Sequence, residues 1–519
     1  MISKHYIQFP LTLVRINIGF LPLHAFVLVV IVCNALADTP PRPNIVFILA
    51  DDLGWGSVGC YGAPPRLVRT PHIDRLAREG IRFTSAYTPS SVCTPTRYAV
   101  LTGRYCWRSF PQSILVAPLG PLIIEAEQAT LASMLRDSGY STAIVGKWHL
   151  GFGTKAREAE DLRSPLSPGP RDCGFAYYFG IPQNHGEPWG IYVENEAVWG
   201  QRSAQRIEQP RPSYYGPQFM GFDAPQRDDW TAQTVLTNQA VTWIKRQTPG
   251  KPFFLYFAAA AVHEPVTPSK ESQGTSGAGL YGDWIHDLDL SVGRILEALD
   301  ASGHGHNTLV IFTSDNGGVN VANSGENWRT GIRKATPPYT SLLEAVLDTQ
   351  AKGFRPNGDL RGGKGSIHEG GFRVPLIARW PGVIPANQEA HPSVSLVDMV
   401  ATIAEVLNLP ALDRQRKRGD SVSFLPALVG KTNPETRRAS VILHSGGSQF
   451  AIIKDNWKWI EPLGLRRGTN PPALVGELFD LTHDPSETTD LKEEYPELAR
   501  ALIAELESVR GTQSYSAPE

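Results

Sequence analysis

Cysteine is scarce in this chain, with five in 519 residues, and neither sign of charge dominates, because 49 lysines and arginines stand against 51 aspartates and glutamates. So few cysteines exclude a disulfide scaffold. A formal net charge of −2 lacks the polybasic character of nucleic-acid-binding proteins, so we expect no nucleic-acid partner. The sequence shows no convincing internal repeat or low-complexity run. What remains is the composition of a folded enzyme, at a length that suits one large domain and a small second one.

Polar clusters follow four apolar runs of the chain. The runs are 44–50, 141–146, 252–258 and 308–313, and the clusters are Asp51-Asp52, Lys147-Trp148-His149, His263-Glu264 and Asp315-Asn316. Continuous apolar runs of this length are typical of strands that are buried on both faces, as in a parallel sheet. Helical patterns at 131–138 and 285–299 lie between the runs, as a βαβ chain requires. The sequence therefore predicts an α/β fold with a parallel sheet covered by helices.

The position of these clusters suggests a site. Ligands of open α/β sheets bind outside the carboxyl ends of the strands, so we expect the four clusters to share one edge. Each cluster alone has a simpler explanation, because Asp-Asp after a strand often forms a turn or caps a helix, and Asp-Asn-Gly is a common turn. Four clusters in a consistent position favour the functional interpretation.

The acidic clusters have the chemistry of a hard-metal site. Asp51, Asp52, Asp315 and Asn316 offer oxygen ligands without sulfur or imidazole, which suits Ca²⁺ or Mg²⁺ and not zinc. Three carboxylates at one point would repel one another and raise their pKa values. A divalent cation removes that conflict, and Ca²⁺ tolerates irregular coordination with an amide carbonyl among its ligands.

Basic residues in the other segments would face an anionic substrate. They are Arg97, Lys147, His149, His263 and Lys364. Fixed positive groups stabilise charge that builds up on the oxygens of a sulfate or phosphate ester. Arg97 lies four residues after Cys93, so both share one face of a helix that begins near Pro95; a surface salt bridge is the alternative for Arg97. Lys364 lies in the glycine-dense segment 360–375, where backbone can approach a ligand closely, and a flexible loop is the alternative there.

Several motifs, taken together, carry a family resemblance. They are Cys93-Thr94-Pro95-Thr96-Arg97 followed by Leu101-Thr102-Gly103-Arg104, Gly146-Lys147-Trp148-His149, Ser314-Asp315-Asn316-Gly317, and Gly363-Lys364-Gly365 with Glu369-Gly370-Gly371. From about Pro43 to the C-terminal region the chain resembles the type I, formylglycine-dependent sulfatases of the alkaline phosphatase superfamily, nearest the arylsulfatase A and N-acetylgalactosamine-6-sulfatase branch. The resemblance implies a large mixed, mostly parallel sheet between helices, with a small C-terminal antiparallel sheet and one helix.

The resemblance also implies a site and a reaction. One Ca²⁺ is bound by Asp51, Asp52, Asp315 and Asn316, together with oxygen from Cys93 after a maturation enzyme has converted it to formylglycine (3-oxoalanine). Arg97 and Lys147 orient the nucleophile and the sulfate. His263, helped by Lys364, protonates the leaving alcohol, and His149 takes up a proton in the step that releases sulfate.

The substrate is less well defined by these residues. A sulfated carbohydrate is expected, with aryl sulfates as further substrates. Trp189, Tyr192 and Trp199 could line a sugar site, although such aromatic residues more often pack in a core. The segment between Asn316 and Lys364 is longer than expected and is either a substrate-shaping insertion or a surface excursion. The alternatives are a phosphodiesterase or phosphonate hydrolase of the same superfamily, and a non-catalytic, metal-stabilised binding protein if Cys93 is unmodified.

The N-terminus has the pattern of a secretory signal peptide. Lys4 and Arg15 precede an apolar stretch at about 16–33, and Ala35-Leu36-Ala37 supplies a small-residue cleavage site. We therefore expect a signal peptide at 1–37 and an exported protein, periplasmic or extracellular. The alternative is an uncleaved membrane anchor, since the stretch approaches membrane-spanning length.

The hydrophobic pattern changes past about residue 440. Residues 451–454 and 457–460 read as a hairpin, 477–481 as a further strand and 496–510 as an amphipathic helix. We therefore expect a catalytic domain at 38–439 and a small C-terminal subdomain at 440–519.

With Cys33 in the signal peptide and Cys93 modified, three cysteines remain: Cys60, Cys106 and Cys173. Because their number is odd, they form at most one disulfide.

Overall fold

The computed structural model describes residues 42–112, 114–117, 120–155, 164–187, 189–203, 205–208, 214, 220–320, 338–409, 420–431, 438–463 and 475–511. The residues from Pro43 onward form one compact unit. The predicted signal peptide at 1–37 lies outside the described residues. Among those that are described, no helix combines the length and apolar character of a membrane span.

Strands and helices alternate along the catalytic part of the chain. The strands are β1 Asn44–Ala50, β2 Ile81–Phe83, β3 Ala86–Tyr87, β4 Ser141–Lys147, β5 Tyr177–Ile181, β6 Val193–Glu194, β7 Ala197–Val198, β8 Arg206–Glu208, β9 Met220–Phe222, β10 Phe253–Ala258, β11 Thr308–Ser314, β12 Leu376–Arg379, β13 Gln388–Ala390 and β14 Val394–Ser395. The helices are α1 Pro71–Arg78, α2 Cys93–Thr102, α3 Leu131–Asp137, α4 Ala232–Lys245, α5 Leu280–Ala301, α6 Leu342–Ala351, α7 Glu369–Phe372, α8 Met399–Val406 and α9 Leu425–Leu428. All four predicted strands and both predicted helices are therefore confirmed, with ends that differ by a few residues.

A ten-stranded sheet forms the centre of the molecule, in the order β13-β2-β12-β11-β1-β10-β4-β5-β6-β7. The five strands from β11 to β5 run parallel, and β1 lies between β10 and β11, with Ile48 opposite Phe257 and Phe312. Strand β12 is antiparallel to β11, and β6 is antiparallel to β5. The sheet is therefore mixed and mostly parallel, as predicted.

The central strands are buried on both faces, which explains their continuous apolar sequences. On β1, Phe47 and Leu49 face a core shared with α2, α3 and α8, whereas Val46 and Ile48 face a second core shared with α1, α4, α5 and α6. Fully burying an aliphatic or aromatic side chain contributes about 1.5–3 kcal/mol. Because both faces are apolar, polar side chains on these strands lie chiefly at the ends.

The C-terminal part forms its own antiparallel sheet. Its strands are β15 Val441–His444, β16 Phe450–Lys454, β17 Trp457–Ile460 and β18 Glu477–Asp480, paired in that order, and helix α10 Pro496–Gly511 follows them. The predicted hairpin, strand and helix are thus confirmed. The small sheet begins at Val441, and the division of the chain at 439/440 stays a prediction.

Candidate active site

Three acidic residues lie just beyond the carboxyl ends of the two central strands β1 and β11. Asp51 and Asp52 follow β1 and Asp315 follows β11, and all three side chains are buried. The backbone N–H of Asp52 donates to Oδ1 of Asp315 at 3.1 Å, which joins the two strand ends directly. Asp52 has a positive φ of 62°, so the chain turns sharply there and both carboxylates of the pair point into the same space.

Each carboxylate is paired with one buried cation. Lys147 Nζ lies 2.7 Å from Asp51 Oδ2, and Lys364 Nζ lies 2.6 Å from Asp52 Oδ2. The guanidinium of Arg97 contacts Asp315 Oδ2 at 2.7 Å through Nη2 and at 3.0 Å through Nε. Buried charges are tolerated only when they are paired and hydrogen-bonded, and this set of three anions and three cations is balanced.

Cys93 is the first residue of α2 and lies against the acidic cluster. Its Sγ is 3.7 Å from Asp51 Oδ1. The helix begins at Cys93, so Pro95 lies inside the first turn and the start predicted near Pro95 is confirmed to within a turn. Arg97 follows one turn later on the same face, as predicted, and its Nη1 donates to the carbonyl oxygen of Lys147 at 3.0 Å. Burial raises the pKa of the Cys93 thiol to about 12, so an unmodified thiol there would be a poor nucleophile.

The glycine-dense segment is packed against the strand ends and is not a solvated loop. The backbone N–H of Lys364 donates to the carbonyl oxygen of Gly318 at 3.0 Å, and that of Gly365 donates to Ser91 at 2.8 Å. At Gly317 a Cβ atom would lie 1.8 Å from the carbonyl oxygen of Gly370, so no other residue fits without moving the backbone. Although burial lowers the pKa of Lys364, the neighbouring Asp52 raises it overall, and the ammonium stays charged.

His263 lies beside Asp52. Its Nδ1 donates to the carbonyl oxygen of Glu264 at 2.7 Å, and its Nε2 is 3.9 Å from Asp52 Oδ2. The indole N–H of Trp284 donates to the carbonyl oxygen of His263 at 3.0 Å, which fixes the backbone of this turn. Burial, followed by the charges of Lys364 and Lys147, lowers the pKa of His263 well below its usual value.

His149 follows β4 and has a left-handed backbone with φ of 57°. Both of its ring nitrogens are buried and have no hydrogen-bond partner among the described residues. Its carbonyl oxygen accepts a hydrogen bond from Thr94 Oγ1 at 3.2 Å, which ties this turn to the residue next to Cys93. Burial and the charges of Lys147 and Arg97 lower the pKa of His149 well below its usual value, so the ring is neutral and can accept a proton.

The oxygen donors of this site, from the carboxylates and Asn316, fit a hard divalent cation. Asp51, Asp52, Cys93 and His263 each offer an atom, and these atoms all lie within 4.8 Å of one another. Asn316 Nδ2 donates to Asp52 Oδ1 at 2.8 Å, whereas its Oδ1 is buried with no hydrogen-bond partner among the described residues. A buried acceptor without a donor, in a cluster of carboxylates, is satisfied by a cation. Burial and the nearby Asp51 raise the pKa of Asp315, which a cation would counteract.

Other side chains hold this site in place, and little in their sequence context points to them. Ser314 Oγ accepts the backbone N–H of Leu53 at 2.9 Å. Asn357 accepts the N–H of Gly318 at 2.8 Å and donates to its carbonyl oxygen at 2.9 Å. Ser314 could have been found because it ends a strand next to Asp315. Asn357 is separated from its partner by 39 residues and belongs to no pattern.

The aromatic residues considered for a sugar site contact the core, with Tyr192 buried and Trp189 and Trp199 partly buried. Tyr192 stacks on Phe179 with ring centroids 5.2 Å apart, and Trp199 meets Phe179 edge-on at 5.8 Å. Trp189 is partly buried against the core on the other face of the sheet. All three residues therefore take part in core packing, and a sugar site at the exposed parts of the two tryptophans stays a prediction.

The described part of the long segment before Lys364 contains a helix. Its apolar stretch forms α6, and Leu342, Ala345 and Val346 are buried in the core beside α5. Just before the helix, the hydroxyl of Tyr339 donates to Asp229 Oδ2 at 3.0 Å. The described part of this segment therefore includes a helix that contributes to the core. Whether the segment shapes a substrate site stays a prediction.

The cysteines outside the site are unpaired. Cys60, Cys106 and Cys173 are free thiols, as is Cys93, so the described residues contain no disulfide. Burial raises the pKa of Cys106 to a value above the range of reactive thiols, and that of Cys173 to about 12. Cys106 and Cys173 behave as small buried hydrophobic groups, whereas Cys93 lies against the acidic cluster.

Comparison with known proteins gives a consistent result. The family model described as sulfatase matches residues 43–409. An N-acetylgalactosamine-6-O-sulfatase of Bacteroides thetaiotaomicron is 34% identical over 514 residues, which cover 90% of this chain and 93% of that protein. The human N-acetylgalactosamine-6-sulfatase is 33% identical over 76% of this chain and 67% of its own length.

A solved structure agrees with these matches. It comes from work on the metabolism of multiple glycosaminoglycans by Bacteroides thetaiotaomicron, and it aligns with a TM-score of 0.77 at 32% identity. The alignment covers 91% of this chain and 100% of that one. Every predicted site residue, from Asp51 to Lys364, lies inside the range that the family model matches.

Proposed function

The chain belongs to the sulfatase family and hydrolyses sulfate esters, and from this premise we propose that its substrate is a sulfated carbohydrate attacked by a nucleophile made from Cys93. The observation that carries the proposal is the buried, charge-balanced cluster in which Cys93 lies against Asp51, with three cations around it. Such a cluster binds a tetrahedral anion and a metal ion in the same small volume. The relatives named as N-acetylgalactosamine-6-sulfatases support a 6-sulfated amino sugar as the first substrate to test.

Residue 93 needs modification to serve as the nucleophile. The thiol is buried and its pKa is about 12, so little thiolate forms at neutral pH. Conversion to formylglycine (3-oxoalanine) by a maturation enzyme would supply the hydroxyl of a hydrated aldehyde in its place. Helix α2 presents this residue at its N-terminus, where the helix dipole favours negative charge on an attacking oxygen.

Calcium would be held by Asp51, Asp52, Asp315 and Asn316, together with oxygen from residue 93. Bound there, it would neutralise the crowded carboxylates and acidify the attacking hydroxyl. The proposal is supported by the unpartnered Oδ1 of Asn316 and by the charge balance of the site. Two further positive charges would be offset by a sulfate ester and a deprotonated hydroxyl, each of which carries one negative charge. His263, although its Nε2 lies in the cluster, is a nitrogen donor and suits calcium poorly.

The cations have separate tasks in this proposal. Arg97 and Lys147 hold the nucleophile and the sulfate oxygens, since both contact Asp51, the carboxylate against which Cys93 lies. His263 and Lys364 share Asp52, and we assign them to the departing alcohol. The Nδ1–H of His263 is committed to Glu264, so Nε2 is the atom that carries and delivers the proton. A bound sulfate anion raises the pKa of this imidazole and favours the protonated form that an acid requires.

His149 is assigned to the opposite proton transfer. Its ring is neutral and both nitrogens lack hydrogen-bond partners among the described residues, which suits a base. Its turn is held to Thr94, so the ring stays near residue 93. In this assignment His149 removes a proton from the hydroxyl of residue 93 in the step that frees sulfate.

We also propose that the protein is exported through the signal peptide expected at 1–37, and that Cys93 is converted before the enzyme becomes active.

Two measurements test the function. The protein is produced together with a formylglycine-generating enzyme, and the peptide that contains Cys93 is analysed by mass. We expect it to have lost sulfur and gained oxygen, whereas the peptides with Cys60, Cys106 and Cys173 keep their sulfur and serve as internal controls. Hydrolysis is then compared on three substrates: release of inorganic sulfate is followed for 6-sulfated N-acetylgalactosamine and nitrophenyl sulfate, and release of nitrophenol is followed for a nitrophenyl phosphate diester.

The outcomes separate the possible functions. Higher kcat/KM on the sulfates than on the diester supports the proposal. A converted residue 93 with the diester as the preferred substrate indicates a phosphodiesterase or phosphonate hydrolase on the same fold. A thiol that stays unmodified, in a protein that binds calcium and releases no sulfate, indicates a binding protein.

A further inference from the structure

A second buried charge cluster joins the C-terminal sheet to the segment that presents Lys364. Lys458 of β17 is fully buried, and its Nζ lies 3.1 Å from Glu369 Oε1 and 2.7 Å from Glu487 Oε1. The hydroxyl of Tyr87 donates to Glu369 Oε2 at 3.1 Å. The two glutamates are also buried, so the lysine on the small sheet satisfies two carboxylates of different segments.

Glu487 also binds the backbone of α7 and so links this cluster to that helix. Its Oε2 accepts the N–H of Glu369 at 2.7 Å, and its carbonyl oxygen accepts from Arg361 Nη1 at 3.1 Å. Glu487 has a left-handed backbone with φ of 54°, which is uncommon outside glycine and asparagine. Both ends of the segment from Arg361 to Glu369 are therefore attached to the loop that carries Glu487.

From α7 the contacts lead directly to the active site. The N–H of Gly370 donates to the carbonyl oxygen of Arg361 at 2.8 Å, and the N–H of Gly317 donates to that of Gly371 at 2.9 Å. A Cβ atom on Gly370 would lie 2.5 Å from the carbonyl oxygen of Gly362, so the two backbone segments are packed too closely to admit a side chain there. Movement of α7 would therefore shift both the segment of Lys364 and the turn that follows Asn316.

We propose that Lys458 is a positioning residue for the hydrolysis: by holding Glu369 and Glu487 together, it fixes the segment that delivers Lys364 to the leaving-group side of the site. The proposal rests on the function proposed above. It gives the C-terminal sheet a role in the reaction without contact between Lys458 and the substrate. The chain of contacts runs from Lys458, through the two glutamates and α7, to Lys364.

The physical basis is the cost of removing the cation that the two buried carboxylates share. Arg373 Nη1 lies 3.7 Å from Glu369 Oε2 and His368 Nδ1 lies 3.6 Å from Glu487 Oε2, so each glutamate keeps only a more distant basic partner among the described residues. With Lys458 present, burial lowers its pKa but Glu487 and Glu369 raise it overall, so the lysine stays charged. Without it, the two glutamates would repel each other in a medium of low dielectric constant. We expect Glu369 to move away from Glu487. Because Glu369 begins α7, this movement shifts Gly370 and, through it, the segment that carries Lys364.

The test uses the full-length, matured protein and three variants. Lys458→Met removes the buried charge, and Lys458→Met with Glu487→Gln removes one charge of each sign, so that protein can fold even if the single variant does not. Lys454→Met is the matched control, because Lys454 lies on the adjacent strand β16 and pairs with Glu505 near the surface. For each we measure amide hydrogen exchange in 360–373, and kcat/KM on a 6-sulfated sugar and on nitrophenyl sulfate.

We expect faster exchange confined to 360–373 in both Lys458 variants, and a loss of about 10–100-fold on the sulfated sugar, the range found for residues that orient reacting groups. The loss on nitrophenyl sulfate should be smaller, because its leaving group needs less help. Adding Lys458→Met to Lys364→Met should cost nothing further, since both changes affect the same group.

The contrary results are distinct. Exchange and rates equal to those of Lys454→Met, or exchange that rises evenly over the whole chain, would overturn the positioning role. The exchange measurement does not depend on activity. If the wild-type protein releases no sulfate, the proposed function fails while the anchoring of 360–373 by Lys458 is still decided.

Discussion

Asp315→Asn is expected to lower sulfate release by at least about 10²–10³-fold, the cost of removing one group that stabilises charge in a reacting site, and to leave the purified protein depleted of calcium. Asparagine keeps the shape of the side chain but removes one of the three negative charges that a hard cation needs. The change also leaves Arg97 without the carboxylate that it contacts through Nε and Nη2. Metal content per folded chain and kcat on nitrophenyl sulfate are the two measurements.

A matched variant separates the metal effect from the loss of a buried ion pair. Asp420 contacts Arg108 at 2.6 Å and is buried, as Asp315 is with Arg97, but it belongs to another part of the chain. Breaking a buried pair can cost about 3–5 kcal/mol. Asp420→Asn should therefore lower the free energy of unfolding without lowering calcium content per folded chain. Full calcium occupancy and a wild-type rate in Asp315→Asn would remove Asp315 from the metal site.

The central sheet could be predicted because its strands are buried on both faces. A run such as Asn44–Ala50 has no exposed position, so hydrophobicity alone marks it, and the polar residues must collect at its end. The parallel arrangement then brings Asp51 and Asp315 to one edge. The two aspartates could therefore be predicted to lie close together from the order and direction of the strands alone.

The remaining features depend on contacts between distant segments. Nothing near Lys458 in sequence shows that it meets Glu369 and Glu487, since those partners lie 89 residues before it and in a later loop. The start of α2 could be located only to within a turn for a different reason: Pro is tolerated throughout the first turn, so Pro95 does not identify the first residue.

His263→Ala is expected to cost far more on a sulfated sugar than on nitrophenyl sulfate. Proton donation to the leaving group is worth about 10²–10⁴-fold, and it matters most when the departing alcohol is a poor leaving group. A nitrophenolate departs without a proton, whereas a sugar hydroxyl does not. The substitution keeps the backbone in place, because Trp284 binds the main-chain oxygen of His263 and not the ring.

The measurement compares the ratio of mutant to wild-type kcat/KM on the two substrates, under conditions in which S–O cleavage limits both. His149→Ala supplies the contrast, because its proposed step comes after the alcohol has departed and is the same for both substrates. That variant should approach one common kcat on the sugar and the aryl ester. If His263→Ala instead loses the same factor on both substrates, with cleavage limiting, His263 binds sulfate or shapes the pocket. In that case Lys364, which shares Asp52 with it, becomes the group that meets the leaving oxygen.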